Sequence, residues 1–313
     1  MNNAFDVGAK LTLRSVITVL TISVVYILIS RWLLGFNTGQ LMLVGLFNLL
    51  FFLSGITRKF IIGFSIFIVF WIIFDFMKAF PNYNYNTVHI ADIYNFEKQL
   101  FGINFNGKLL TPNEYWRLNT SHFLDVMGGI FYLCWVPVPI GFAVYLFFFK
   151  SRKQFIYFSL TFFLVNLIGF IIYYVYPAAP PWYVQYHGFG FIPKTHGNTA
   201  GLGRFDKYFH VSIFQSIYAK SSNVFAAMPS LHSSYPFIVL YYGIKSRLGL
   251  FNIIFGIVML GIWFTAIYAS HHYILDVLAG ILCAITAITL FNLMVSRVNW
   301  FKDFVTGFEK KIQ

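Results

Sequence analysis

Apolar and polar positions alternate along this chain in long blocks. Eight apolar stretches, roughly residues 13–34, 41–56, 60–77, 123–149, 155–176, 229–244, 248–269 and 275–296, are separated by short charged breaks and by two long polar segments, 78–121 and 177–228. A helix needs about 20 predominantly apolar residues to cross the hydrocarbon core of a bilayer. Each block is therefore predicted as a membrane helix. The second and sixth are short, and the second suits a re-entrant segment as well as a span. No internal repeat or low-complexity tract interrupts the series. Lys10 and Arg14 precede the first apolar run without a small-residue cleavage pattern, which reads as a retained first span.

Composition sharpens this picture. Hydrophobic residues make up 58% of the chain, aromatics 21% and charged residues 10%. A soluble domain carries about 25% charged residues, so this one cannot cover a water-facing surface. Forty Phe and twenty Tyr suit a lipid-facing and interfacial surface. Cys134 and Cys283 both fall inside apolar runs and read as packing residues, silent on redox compartment.

The net charge of +12 would fit nucleic acid only if Lys and Arg clustered on a soluble face. They sit instead in short groups between apolar runs, as topology signals do, and no nucleic-acid partner is expected. With eight spans and the N-terminus inside, the cytoplasmic flanks hold Lys10, Arg14, Arg58, Lys59, Lys150, Arg152, Lys153, Lys245, Arg247, Arg297, Lys302, Lys310 and Lys311, thirteen of the 22 basic residues. The one short loop on the opposite side holds Arg31 alone. This positive-inside bias predicts that both long segments lie outside the cytoplasm, in a periplasm or lumen.

Every histidine then falls on that outer side: His89, His122, His187, His196, His210, His232, His271 and His272. A lone loop histidine is ordinarily just solvated, and three residues depart from that. The run Ala227-Met228-Pro229-Ser230-Leu231-His232-Ser233 opens the sixth apolar block. Pro229 suits a first helical turn, where its missing N–H costs nothing. The free N–H groups of such a turn, with the positive end of the helix dipole, favour an anion. His232 would face whatever anion binds there; the plainer reading is a Pro helix start with an interfacial His.

Forty residues later comes Tyr268-Ala269-Ser270-His271-His272-Tyr273-Ile274-Leu275-Asp276. His272 and Asp276 are spaced i, i+4, which puts them on one face of a helix. An acid at a membrane span is expensive and calls for a partner. A carboxylate on one imidazole nitrogen fixes the tautomer and frees the other to attack. His271 points about 100° away and reads as a spectator. Together these residues suit phosphoryl transfer through a phosphohistidine, one His attacking phosphorus and the other protonating the departing alkoxide. No metal or other cofactor is called for, and no carboxylate cluster offers to hold one.

At these residues the chain resembles the phosphatidic acid phosphatase type 2 superfamily of membrane lipid phosphatases and phosphotransferases. The Pro-Ser-x-His and His-x-x-x-Asp motifs match in order and spacing over roughly residues 225–280. The resemblance implies His272 as nucleophile, Asp276 as its orienting partner and His232 as general acid. It also departs from the hydrolase pattern of Lys-x6-Arg-Pro and a Ser-Arg pair: Thr265 and Ala266 stand where that pair would be. The runs Tyr173-Tyr174-Val175-Tyr176-Pro177-Ala178-Ala179-Pro180-Pro181-Trp182-Tyr183 and Gly201-Leu202-Gly203-Arg204-Phe205-Asp206 are similar instead to the inositol phosphorylceramide synthase branch. So are Val88-His89-Ile90-Ala91-Asp92, Glu97, Leu100-Phe101-Gly102 and Thr111-Pro112-Asn113-Glu114-Tyr115-Trp116. The similarity covers about residues 70–290.

The resemblance implies an all-α, polytopic transmembrane helical bundle of about eight spans, a six-helix phosphatase-type core with two extra N-terminal spans. The expected parts are an N-terminal transmembrane pair (1–59), a catalytic transmembrane domain (60–297) with the two outer segments, and a cytoplasmic tail (298–313). Its implied partners are membrane lipids: a phospholipid donor, probed at its headgroup phosphate, and a ceramide-like acceptor. Without the hydrolase arginines, Arg204 is the first candidate to bind the phosphate and Lys220 a weaker one; Ser230 belongs to the same anion site. Asp206 pairs with Arg204 or contacts an inositol hydroxyl, and both readings stand. Trp182 and Tyr183 read most simply as an interfacial anchor, more sharply as a lid over the lipid. The leading expectation is transfer of a phosphoryl-headgroup, with phosphoinositol favoured, and the runner-up is a lipid phosphate phosphatase with water as acceptor. A transporter or scaffold using the same His and Asp for proton coupling would leave Pro-Ser-x-His unexplained.

Overall fold

The structure is a computed structural model and describes residues 11–219 and 223–313. Lys10 and Lys220 therefore lie outside the described residues. The chain is a polytopic helical membrane protein. Its α-helices in chain order are α1 (Leu13–Leu34), α2 (Thr38–Leu53), α3 (Gly55–Phe76), α4 (Ala91–Phe101), α5 (Pro112–Leu118), α6 (His122–Leu133), α7 (Pro137–Tyr145), α8 (Arg152–Val175), α9 (Pro181–His187), α10 (Gly203–Phe209), α11 (Ile213–Tyr218), α12 (Leu231–Lys245), α13 (Phe251–Tyr268), α14 (Ile274–Arg297) and α15 (Asn299–Ile312). All eight apolar blocks are helical, but not all alike. Among the described residues, five helical stretches are long and apolar enough to cross a membrane, and six if the bent pair formed by α6 and α7 counts as one broken span. The second and sixth blocks give helices of 16 and 15 residues, about 24 and 22 Å at the usual rise. The expected unbroken span at 123–149 is corrected to that broken pair, bent by 43°. Pro137 supplies the reason: it starts α7, has no N–H to give the carbonyl four residues back, and its ring crowds that carbonyl.

Two compact units divide the chain: residues 1–80 with 295–313, and residues 81–294. The first holds α1, α2, α3 and α15. Val19, Phe51 and Ile61 form its buried core. Capping boxes start α1 at Thr12 and α3 at Ser54, each side chain bonding the backbone three residues on.

The second unit carries the long segments, which fold into short helices rather than open loops. Strands β1 (Ile103–Phe105) and β2 (Lys108–Leu110) pair antiparallel around Asn106 and Gly107, both at positive φ as a tight hairpin turn demands. Three extended stretches lie side by side: Ala179 N–H donates to the His89 carbonyl at 2.9 Å, and Ala227 N–H to the Ala178 carbonyl at 3.3 Å. This draws residues 88–90, 177–179 and 225–227 together just before α12 begins. Asn82 sits beneath them, its amide donating to the carbonyls of Tyr173 and Phe225, each at 2.8 Å.

Helix packing then fixes α12 among α8, α13 and α14. Gly169 of α8 leaves room for Leu231, and Gly280 of α14 lies directly against the Ser230 carbonyl. In a membrane such small residues let helices approach closely, and polar groups tie them. The ties here are Tyr235 to Asn166, Thr161 to Tyr242 at 2.7 Å, Ser234 Oγ to the Gly280 carbonyl at 2.6 Å, and Trp263 Nε1 to the Ser233 carbonyl at 3.0 Å.

Candidate active site

Ser230 is the N-cap of α12, and its N–H donates to the Asp276 carbonyl at 2.9 Å. The helix starts at Leu231, so the expectation of Pro229 inside the first turn is corrected: Pro229 precedes the cap, joined to Met228 by a cis peptide. The tie between Ser230 and α14 sets where the helix can begin. His232 consequently occupies the second helical position, half-buried against Tyr132 of α6 and Trp135 of the break between α6 and α7. Ser230 Oγ is buried and accepts from Ser233 Oγ at 3.1 Å; it does not cap the helix.

The second motif also differs in local structure. His272 lies in the turn between α13 and α14 rather than on a shared helix face with Asp276. Ser270, at φ 58°, reverses the chain, and the N–H groups of His271 and His272 both donate to the Ala266 carbonyl at 3.0 and 2.9 Å. Ala266 is fully buried beneath this turn. Asp276 is the third residue of α14 and its Oδ2 accepts from Tyr273 N–H at 2.8 Å, half of a capping box. The same oxygen lies 3.5 Å from His272 Nδ1, an ion-pair separation.

The two motifs meet. His232 Nδ1 and His272 Nε2 are 3.0 Å apart across forty residues of sequence. His232, His272 and Asp276 thus form one continuous line of groups. His271 stands aside: its Nε2–H donates to the Thr199 carbonyl at 2.9 Å, and its ring stacks between Tyr218 and Tyr132. Burial, with His272 adding to it, lowers its pKa to about 3, so it is neutral at ordinary pH. Beside it opens a cavity of about 350 Å³ lined by His196, Gly197, Asn198, Thr199, Gln215, Tyr218 and Ala219.

The remaining expectations fare differently. Arg204 does not pair with Asp206. Its Nε donates to Asp125 Oδ1 of α6 at 2.5 Å, its guanidinium covers the Tyr268 ring, and Tyr268 donates to the same carboxylate oxygen at 2.6 Å. Residues two apart on a helix do not face each other, and Asp206 turns instead to the start of α11, accepting from the N–H groups of Phe214 and Gln215 at 3.2 and 2.9 Å. The pairing with Arg204 is corrected to this capping contact. Trp182 and Tyr183 are corrected as well: they are buried, at 4% and 0% exposure, in a core with Ile90, Ala179 and Phe225. Neither is placed to anchor at an interface or to close over a lipid, because three prolines and the Ser270 carbonyl, which accepts from Trp182 N–H, pin the turn down. Lys220 lies outside the described residues.

Sequence reasoning passed over Tyr132, Trp135, Asn113 and Asp125. Asn113 of α5 donates to the carbonyls of Ile267 and His272, each at 2.9 Å, and so holds the turn that carries His272. Asp125 carried a usable signal, an acid inside an apolar block. Nothing in the pattern marked Asn113 or the two aromatics.

Comparison with known proteins adds to this geometry. A family model described as the PAP2 superfamily matches residues 92–290. The chain is 44% identical over 301 residues to the phosphoinositol dihydroceramide synthase of Bacteroides thetaiotaomicron, covering 96% of this chain and 99% of that one. It is 29% identical over 192 residues to the inositol phosphorylceramide synthase of Candida albicans, covering 61% of this chain and 39% of that one. With the inositol phosphorylceramide synthase catalytic subunit AUR1 of Saccharomyces cerevisiae the figures are 28% over 221 residues, 67% and 51%. No solved structure matches.

Proposed function

The chain belongs to the PAP2 superfamily, and from that membership we propose that it is a membrane phosphotransferase moving phosphoinositol from a glycerophospholipid to the primary hydroxyl of a ceramide-type lipid. The observation that carries the proposal is the 3.0 Å meeting of His232 and His272, with Asp276 behind the second ring. The full-length relative bearing the name of a phosphoinositol dihydroceramide synthase supports the donor headgroup and the acceptor class.

In the first step the lone pair of His272 Nε2 attacks phosphorus, with Nδ1–H directed at Asp276. The ester bond to the diacylglycerol oxygen breaks, and that oxygen takes a proton from His232. Diacylglycerol leaves, and phosphoinositol stays on His272. In the second step the acceptor hydroxyl gives its proton to His232 while its oxygen attacks phosphorus. The N–P bond breaks and both rings return to their starting states. Because the two imidazoles touch at rest, the donor phosphate has to part them on entry. Leu231 and His232 supply the first two N–H groups of α12, which have no intrahelical acceptor by position, and Ser230 provides no side-chain cap. They are available to the phosphate oxygens. The amide and hydroxyl side chains around the cavity beside His271 suit the hydroxyls of a cyclitol. Both long segments, and with them the site, lie on the non-cytoplasmic side of the membrane in this proposal.

The test uses the purified protein with phosphatidylinositol labelled in its headgroup. Labelled sphingolipid should form only when ceramide is also supplied. Release of free inositol phosphate at the same rate with and without ceramide would instead establish hydrolysis. His232→Ala and His272→Ala should each abolish product with the fold intact, and near-normal turnover in either would sink the mechanism.

A further inference from the structure

The start of α14 presents backbone N–H groups that no helical carbonyl can reach, and carboxylates take three of them. Asp276 takes the one from Tyr273. The other two are claimed from far away in sequence: Glu97 of α4 accepts from Ile274 N–H at 2.9 Å with Oε1 and from Leu275 N–H at 3.1 Å with Oε2. Its side chain is completely buried. The chain has ten acidic residues in all, and one of them commits both carboxylate oxygens to this helix start. Asn113, from the same long segment, grips the other side of the turn through the carbonyls of Ile267 and His272. The turn carrying His272 is therefore held from both flanks by residues 91–118, and neither anchor touches the histidines' ring nitrogens.

We propose that Glu97 is a positioning residue for the reaction: its ionised carboxylate fixes the first turn of α14, and through it the register between Asp276 and His272. This rests on the assignment of those two residues as orienting acid and nucleophile. A carboxylate accepts two N–H bonds at once, whereas a carboxylic acid or an amide presents a donor on one of its two heavy atoms. The amide sets a donor against the N–H of Ile274 or Leu275, and protonation leaves a hydroxyl oxygen as a weaker acceptor there, so the turn loosens. Burial, opposed by the two N–H bonds and reinforced by the charge of Asp276, raises the Glu97 pKa to about 7. The clamp is thus complete above neutrality and opens as pH falls. The ionisable groups around it are Asp276 of α14, Tyr273 and His272 of the turn, Tyr94 and Lys98 of its own helix, and Glu114 of α5, which accepts from Tyr94 at 2.9 Å.

Transfer of labelled headgroup by the full-length protein, followed from pH 5.5 to 8.5, tests the idea with Glu97→Gln. The amide should lower kcat about a hundredfold at pH 8, as a misplacement near 1 Å does, with KM for the donor within about threefold. It should also remove the part of the acid limb that wild type shows around pH 7. A variant with wild-type kcat and an unchanged acid limb would overturn the proposal. If Glu97→Gln does not fold, Glu97→Asp serves: it keeps the charge but shortens the reach, and wild-type kcat there would be equally fatal. His272→Ala is measured alongside. An active His272→Ala would show that the nucleophile assignment had failed; an inactive one beside a fully active Glu97 variant would show that only the clamp had.

Discussion

Replacing Asp276 by Asn keeps shape and volume while removing one negative charge next to His272. The carboxylate is fully buried, with Oδ2 shared between Tyr273 N–H at 2.8 Å and His272 Nδ1 at 3.5 Å. When His272 Nε2 bonds to phosphorus, the ring becomes a cation. A unit charge at 3.5 Å stabilises that cation by roughly 5 kcal/mol at an effective dielectric constant near 20. At 1.36 kcal/mol per decade this is between three and four orders of magnitude in rate. The amide oxygen kept on Tyr273 N–H is also the atom that faces Nδ1, so the substitution keeps that contact and removes its charge. Asp276→Asn should therefore lower kcat by about 10³ to 10⁴ with donor KM within a few-fold of wild type, read from headgroup transfer in proteoliposomes. Size-exclusion elution and thermal unfolding in detergent should match wild type. A folded Asp276→Asn enzyme retaining a tenth or more of wild-type kcat would refute the orienting role.

Gly280→Ala should destabilise by about 1–3 kcal/mol, the usual cost of overpacking, because the new Cβ meets the Ser230 carbonyl with no flexible side chain to yield; a lowered melting temperature in detergent checks it, and an unchanged one would mean α12 and α14 do not approach as described. Lys194→Cys, in a background without Cys134 and Cys283, should react with a membrane-impermeant thiol reagent only from the non-cytoplasmic side; labelling only from the cytoplasm reverses the orientation. Gln215→Ala should raise donor KM about tenfold, the scale of a lost hydrogen bond left unpaired, with acceptor KM unmoved; equal effects on both substrates would remove the cavity from headgroup binding. Between pH 5 and 8 the ring of His271 should show no titration by NMR, since its pKa of about 3 keeps it neutral there.

The apolar blocks were legible because period and length alone mark a membrane helix, and the two motifs were legible because Pro-Ser-x-His and His-x-x-x-Asp are local in sequence. What joins them is not local. No spacing rule tells that His232 Nδ1 meets His272 Nε2, since that depends on Gly169 and Gly280 admitting Leu231 and Ser230 to their neighbours. The i, i+4 argument reached the right partners through the wrong element: His272 and Asp276 are neighbours because a turn folds onto a helix start. Charged residues were misjudged for a related reason. Arg204 and Asp206 are two residues apart in the chain, but a short helix sends them to different sides, and each finds its partner on another helix. Trp182 and Tyr183 matched an interfacial composition while packing into a core built by the segments themselves.

Lipid tails are as apolar as Leu, so hydrophobic burial gives membrane helices little preference for one register over another. Polar ties have to supply it, and in this chain the scarce acids do so at one end of the second unit. Asp125 binds α10 to α6 through Arg204, Asp206 fastens α11 to α10, Glu114 caps its own helix and takes Tyr94 from α4, and Glu97 takes the start of α14. Asp92 holds the His89 ring, which stacks on Tyr176 where the extended stretches meet α8. Burial works against its ionisation, yet the bond to His89 and its backbone contacts outweigh burial and hold the carboxyl below its usual value. Each of these acids ties the long segments to one another or to the ends of the membrane helices. In the proposed reaction a phosphodiester arriving at His232 therefore meets carboxylates that are already engaged, and Asp276 is the one placed to respond as charge develops on His272.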